Sequence, residues 1–211
     1  MRYSTTLAAS LLALPLLLAV GCAATPNQHS MRAADTIQAV ASEVTIANQQ
    51  LNTTMNSLDA LLGTTEGDLR PPFRAFSTNV DRLQGSAESV RTRARDMRTR
   101  ADTYLKSWEE QSAQLTNENL RAATDARRAE VRSHIDAVRS LAEEAGNAYQ
   151  PLEKDLLDIR RVLSADLTPA GLRSVADEAQ SAKLAANKLG EALDRLSAEF
   201  TALGLSLRPK T

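Results

Sequence analysis

The chain has 211 residues, with 25 Lys and Arg against 26 Asp and Glu, a formal net charge of −1, 3% aromatic residues and a single cysteine. A balance this even gives no chain-wide attraction for a polyanion, so an electrostatic partner has to be met by a local patch. So few aromatics argue against a thick globular core, and a lone cysteine excludes an intrachain disulfide.

The first stretch runs from Arg2 through an apolar segment, Leu11 to Val20 with only Pro15 interrupting, to Ala19-Val20-Gly21-Cys22. A basic start, a short apolar run and small residues before a cysteine read as a lipoprotein signal peptide over residues 1–21, with Cys22 carrying the lipid. The run falls short of the about 20 apolar residues that a membrane-spanning helix needs. An ordinary secretory signal followed by a free thiol is the other reading. Residues 22–29 hold a proline and small polar side chains, as a flexible tether would. The expected location is the cell envelope. Ala23 after the cysteine, where Asp would retain the protein at the inner membrane, points to the periplasmic face of the outer membrane in an organism that has two.

Beyond the tether, apolar or small residues recur at alternating steps of three and four, the heptad signature of helices that pack on helices. Over about 30–62 the seam is Ile37, Val40, Val44, Ala47, Leu51, Thr54, Leu58 and Leu61. Two glycines and two prolines between Gly63 and Pro72 end that helix. Over about 72–115 the seam is Phe73, Phe76, Val80, Leu83, Ala87, Val90, Ala94, Met97, Ala101, Tyr104 and Trp108. A straight helix drifts by about 20° per heptad, so a seam this regular predicts left-handed supercoiling.

Thr116 to Asn119 offer capping side chains for a third helix over about 118–164, with seam Val131, Ile135, Val138, Ala142, Ala145, Tyr149, Leu152, Leu156, Ile159 and Leu163. Pro151 predicts a kink near Gly146 to Pro151 and no break, because the seam keeps its phase across it. Thr168-Pro169 caps a fourth helix over about 169–203, with seam Leu172, Val175, Ala179, Ala182, Ala186, Leu189, Leu193, Leu196, Phe200 and Leu203. Gly204 and Pro209 are expected to end it, leaving 205–211 as a disordered tail. The predicted fold is all-α, an elongated up-down-up-down antiparallel four-helix coiled-coil bundle over 30–204. Alanines at 87, 94, 101, 179, 182 and 186 are expected to let the helices approach closely in mid-bundle.

Such a fold puts Arg91, Arg93, Arg95, Arg98 and Arg100 in the membrane-near half of the second helix, with Arg121, Arg127, Arg128, Arg132 and Arg139 expected at matching levels on the third. Arg91, Arg95, Arg98, Arg100, Arg128 and Arg132 are the candidate belt for anionic lipid or a cell-wall polymer. The same arginines also suit a solvated coiled-coil flank, balanced by Asp194 and Glu199 of the fourth helix. Nucleic acid is disfavoured as a partner by the export signal.

Catalytic chemistry finds no support. His29 and His134 lack partners at metal-ligand spacing, and His134 is expected to be exposed. Glu109-Glu110 and Glu143-Glu144 are adjacent on helices and so diverge, whereas acid and base groups must converge. No phosphate loop or nucleophile turn occurs. Tyr104 and Trp108 belong to the seam and are expected in the core. The sequence calls for no cofactor and no metal.

Between about Leu61 and Phe200 the chain resembles a bacterial family of exported helical, coiled-coil proteins of unknown function. The points of resemblance are Gly67-Asp68-Leu69, Trp108-Glu109, Asn119-Leu120-Arg121, Pro151-Leu152 and the segment Leu163 to Leu172. That resemblance implies a helical bundle and brings no activity, cofactor or catalytic residue. The expected function is that of a non-enzymatic structural or adaptor lipoprotein with a protein partner in the envelope, or else of a module whose arginine belt holds an anionic partner. Oligomeric state stays open.

Overall fold

The computed structural model describes residues 26–208. Residues 1–25, which take in the expected signal peptide, Cys22 and the first part of the expected tether, and the last three residues lie outside them. The described chain is all helical: α1 Pro26–Leu62, α2 Arg70–Ala113, α3 Glu118–Ala165, α4 Pro169–Ser174 and α5 Ala176–Leu207, with no strand among these residues. At about 1.5 Å per residue the 44 residues of α2 and 48 of α3 extend about 66 and 72 Å.

Local chemistry explains where the helices start. Pro at the first turn of α2 costs no hydrogen bond, since those N–H groups have no intrahelical acceptor. Ahead of it Gly67 takes φ +98°, where a side chain would be strained. Arg70 donates to the Asp68 carboxylate through its guanidinium (2.8 Å) and its backbone N–H (3.0 Å), which holds that carboxyl below its usual range. Asn117 caps α3, its side chain accepting from the Leu120 N–H at 3.1 Å. Thr168 caps α4 by accepting from the Gly171 N–H at 3.1 Å.

The structure departs from expectation in three places. Helix α1 starts at Pro26, inside the segment assigned to the tether, because proline suits a first helical turn. The fourth helix is two: α4 and α5 are divided at Val175 (φ −102°, ψ 11°), whose side chain turns into the core and is 1% exposed. At the preceding connection from α3 to α4 Gly171 is needed, since a Cβ there would run into the carbonyl oxygen of Asp166. Helix α5 does not stop at Gly204. That glycine is buried, the position of its missing Cβ lies 3.7 Å from Ile37 Cγ2, and the helix continues to a buried Leu207, so residues 205–207 are not a disordered tail. As the unbroken phase of its seam predicts, α3 runs through Pro151 as one helix.

The helices form a bundle with one continuous apolar core. Helix α1 packs on α2 and α5, and α3 packs on α2 and α5. Every first-seam position from Ile37 to Leu61 is buried. Thr54 is tolerated there because its hydroxyl donates to the Gln50 carbonyl (2.8 Å) and reaches the Asn79 carbonyl (3.1 Å). Cross-helix pairs fix the register. Between α2 and α3, Asp81 meets Arg160, Gln84 meets Glu153, Asp102 meets Arg139 and Ser112 meets Asp125, rising numbers on one against falling numbers on the other. Between α1 and α5, Asn48 meets Asp194 and Asp59 meets Lys183. Between α3 and α5, His134 meets Glu199 and Glu144 meets Arg195.

Candidate functional site: an apolar cleft with an arginine rim

Helix α2 packs less completely than its neighbours. Phe76, Val80 and Leu83 near its start are buried, as are Met97 and Leu105, but Ala87, Val90, Ala94, Ala101, Tyr104 and Trp108 are only partly buried. Facing them on α3 stand small residues, Ala142, Ala145 and Gly146. The mid-bundle alanines were expected to draw the helices together. Those of α5 fit that picture, with Ala179, Ala182 and Ala186 buried, whereas Ala87 and Ala94 border open space. Large side chains flank this stretch of α2, the buried Phe76 on one side and the edge-to-face pair Tyr104 and Trp108 (5.5 Å between rings) on the other. Between them, small residues on both helices leave a gap.

The gap is a cleft of about 350 Å³. Its floor is the bundle interior, Ala47 of α1 with Leu189, Leu193 and Leu196 of α5, and its walls include Val90 and Met97 of α2 and Val138 of α3. Met97 also lines a second cavity of about 280 Å³ that continues toward Ile37, Tyr104, Ile135 and Leu207.

Arginine dominates the rim: Arg91, Arg95, Arg98 and Arg139 line the first cleft with Glu143 as the one carboxylate, and Arg100 lines the second. Arg91 lies over the Tyr149 ring, 5.1 Å from its centre, a cation–π placement. Tyr149 in turn donates to Glu153 (3.2 Å), which also accepts from Gln84 (3.0 Å). Burial raises the Tyr149 hydroxyl well above the ordinary tyrosine pKa, and Glu153 adds to the rise while Arg91 opposes it. Arg95 donates to Glu88 at 3.0 Å and Arg91 is 3.7 Å from the same residue. Arg139 is paired with Asp102 and, at 3.2 Å, with Asp136. Among the described residues Arg98 and Arg100 have no ion-pair partner.

The candidate belt is therefore not one band. The register sets Arg91 beside Tyr149 and Arg139 beside Asp102, so of the α3 arginines only Arg139 reaches the level of the cleft. Arg128 sits further along, 3.2 Å from Glu109 and 3.5 Å from Asp125, and Arg132 is exposed outside the cleft lining. Residues 98 and 109 of α2 are separated by about 16 Å of helix rise, which the expectation of matching levels overlooked. His134 is also corrected. It is half-buried, with Nδ1 2.6 Å from a Glu199 oxygen on the next helix. Tyr104 and Trp108 pack against the core but stay partly open. Cys22 is outside the described residues. Sequence reasoning found the rim and missed the cleft. The available signal was small residues at facing seam positions, Ala87 and Ala94 against Ala142 and Ala145.

An all-helical bundle with an apolar cleft and a cationic rim defines a class of architecture, not an activity. Among the described residues no helix is long and apolar enough to cross a membrane, and no three His, Cys, Asp or Glu side chains are grouped to hold a metal ion. Residues 29–202 match a family model described as protein of unknown function DUF2959, and the chain belongs to that family. No curated protein and no solved structure matches the chain.

Proposed function

We propose that this protein is a non-enzymatic lipoprotein of the cell envelope, tethered through Cys22, whose four long helices form an up-down-up-down antiparallel four-helix coiled coil that serves as a structural or adaptor element. The observation that carries this reading is the start of α1 at Pro26, so close behind Cys22 that an acylated cysteine would join the bundle to a membrane almost directly. The opposed numbering of the cross-helix pairs supports the antiparallel arrangement. The incompletely packed flank of α2 is the face most open to a partner protein.

The test is Cys22→Ser in the native host. Loss of palmitate labelling together with release from the membrane fraction is the expected result; a membrane-bound, unlabelled wild type would overturn it. Crosslinking in intact cells followed by mass spectrometry should recover envelope proteins joined to α2.

A second reading is favoured by Arg98 and Arg100, which lack ion-pair partners among the described residues: the rim engages an anionic lipid or wall polymer. Binding to anionic vesicles or sacculi should then collapse between low and high salt, because exposed charges are screened within about 10 Å at 0.1 M. Replacing Arg91, Arg95 and Arg98 by Gln should abolish it, and unchanged binding would remove this reading.

A further inference from the structure

A breach in an apolar core is costly unless something fills it, and here the breach lies beneath the densest group of arginines on α2. Headgroup recognition at the surface would use the rim and leave the interior without a role. We propose that the cleft between α2 and α3 binds a long-chain fatty acid, its acyl chain lying on Leu189 and Leu193 and its carboxylate held at the mouth by Arg95 and Arg98. This inference rests on the rim reading and extends it inward.

Three observations fit that ligand. The cleft, at about 350 Å³, falls in the range of roughly 300–1,000 Å³ found for small-molecule sites, and is mostly apolar with few polar groups at one edge. Its lining on α2 runs from Leu83 to Arg98, about 22 Å of helix rise. An acyl chain in a membrane reaches across about half of a roughly 30 Å hydrocarbon core, so it fits that length. The charge at the mouth is complementary: Arg91 and Arg95 share the exposed Glu88, Arg139 is held by Asp102 and Asp136, and Arg98 carries no ion pair among the described residues. Arg95 and Arg98 are three residues apart on one helix face, about 5–6 Å between Cβ atoms, so the two oxygens of one carboxylate can accept from both. Met97, between the two cavities, has a flexible thioether side chain, able to shift and extend the first cleft into the second. A glycan would find no hydrogen-bonding interior here.

The experiment uses the full-length lipoprotein in phosphatidylcholine vesicles, exposed to a photoactivatable palmitate as the free acid, with adducts mapped by peptide mass spectrometry. Adducts should fall on the segments holding Val90 to Met97 and Val138 to Ala145, saturate, and be competed by palmitate. Palmitate methyl ester, which lacks the charge, should compete at least tenfold less well. Ala94→Trp, which plugs the cleft, should lower adduct yield at least tenfold. Ala142→Leu serves the same purpose should the bulkier variant lose helicity by circular dichroism. Arg95→Gln with Arg98→Gln should lower yield three- to tenfold at limiting probe.

Adducts that survive both plugging variants, or that palmitate does not compete, overturn the proposal. Loss of anionic-vesicle binding in the Arg→Gln variant without any cleft adduct in the wild type would leave the surface reading standing and sink this one. Saturable cleft adducts with vesicle binding unaffected would do the reverse. Recovery of a protein helix crosslinked into the cleft in cells, with palmitate unable to displace it, would also refute it.

Discussion

Along α5 the seam residues Ala179, Ala182, Ala186, Leu189, Leu193, Leu196, Phe200 and Leu203 are all buried, while along the middle of α2 Ala87, Val90, Ala94 and Ala101 keep contact with solvent. The two helices follow the same spacing rule, so the rule is not the cause. What differs is the company beside the seam. The charged side chains beside the α5 seam are met across the contact, Lys183 by Asp59, Asp194 by Asn48, Arg195 by Glu144 and Glu199 by His134, whereas α2 carries Arg91, Arg95 and Arg98 on the shoulders of its seam, turned to the cleft. Drawing α2 closer would take guanidinium groups out of water, and the desolvation cost of each would exceed what a few alanine contacts return. The small residues of the middle of α2 therefore border a cleft and not a closed contact.

Four measurements bear on this contrast. The largest effect should come from deleting core volume on the tight side. Leu203→Ala, at an α5 position 1% exposed, should cost about 2–5 kcal/mol in denaturant unfolding, whereas Val90→Ala should cost under about 1 kcal/mol because its site is already part-open. Equal losses would mean that the two sides pack alike. Adding volume should separate them in sign: Ala182→Leu, at a fully buried site, should destabilise by about 1–3 kcal/mol, while Ala94→Leu should stabilise by about 0.5–2 kcal/mol by filling the cleft.

The pH dependence is a smaller effect. The neutral Tyr149 hydroxyl is favoured in the folded protein, chiefly by burial, so its folded pKa is raised above the unfolded value of about 10. The stability it contributes is fully present below about pH 10 and is lost as pH rises from there toward the folded value. Thermal melts from pH 9 to 11 should therefore fall more steeply for the wild type than for Tyr149→Phe; parallel curves would show that this hydroxyl is not desolvated. The smallest signal is in amide hydrogen exchange, where residues 84–104 of α2 should exchange faster than 182–203 of α5 under native conditions, since sparse burial lowers the free energy of local opening.

Much of this architecture was legible beforehand. The turn glycines and prolines, the caps at Asn117 and Thr168, and the faces presented by the long helices can be read from neighbouring residues, because capping and helical periodicity act over a few positions. Every member of the first seam went inside for that reason. The division of the last helix at Val175 was not legible, since its seam continues in phase across the break. Helix continuation through Gly204 was hidden likewise, because Ile37 comes from a segment far away in the chain.

The site divides along the same line. Arginine at 91, 95, 98 and 100 is a fact of the chain, and so is their place beside a seam. Which of them stand together over an opening, and that Arg128 and Arg132 do not, depends on how α2 and α3 are registered. Helical periodicity tells which face turns inward, because it depends on backbone geometry common to all residues. It does not tell how much space is left there. That depends on the summed volumes of side chains from all the helices around the gap, and only the assembled bundle brings those volumes together.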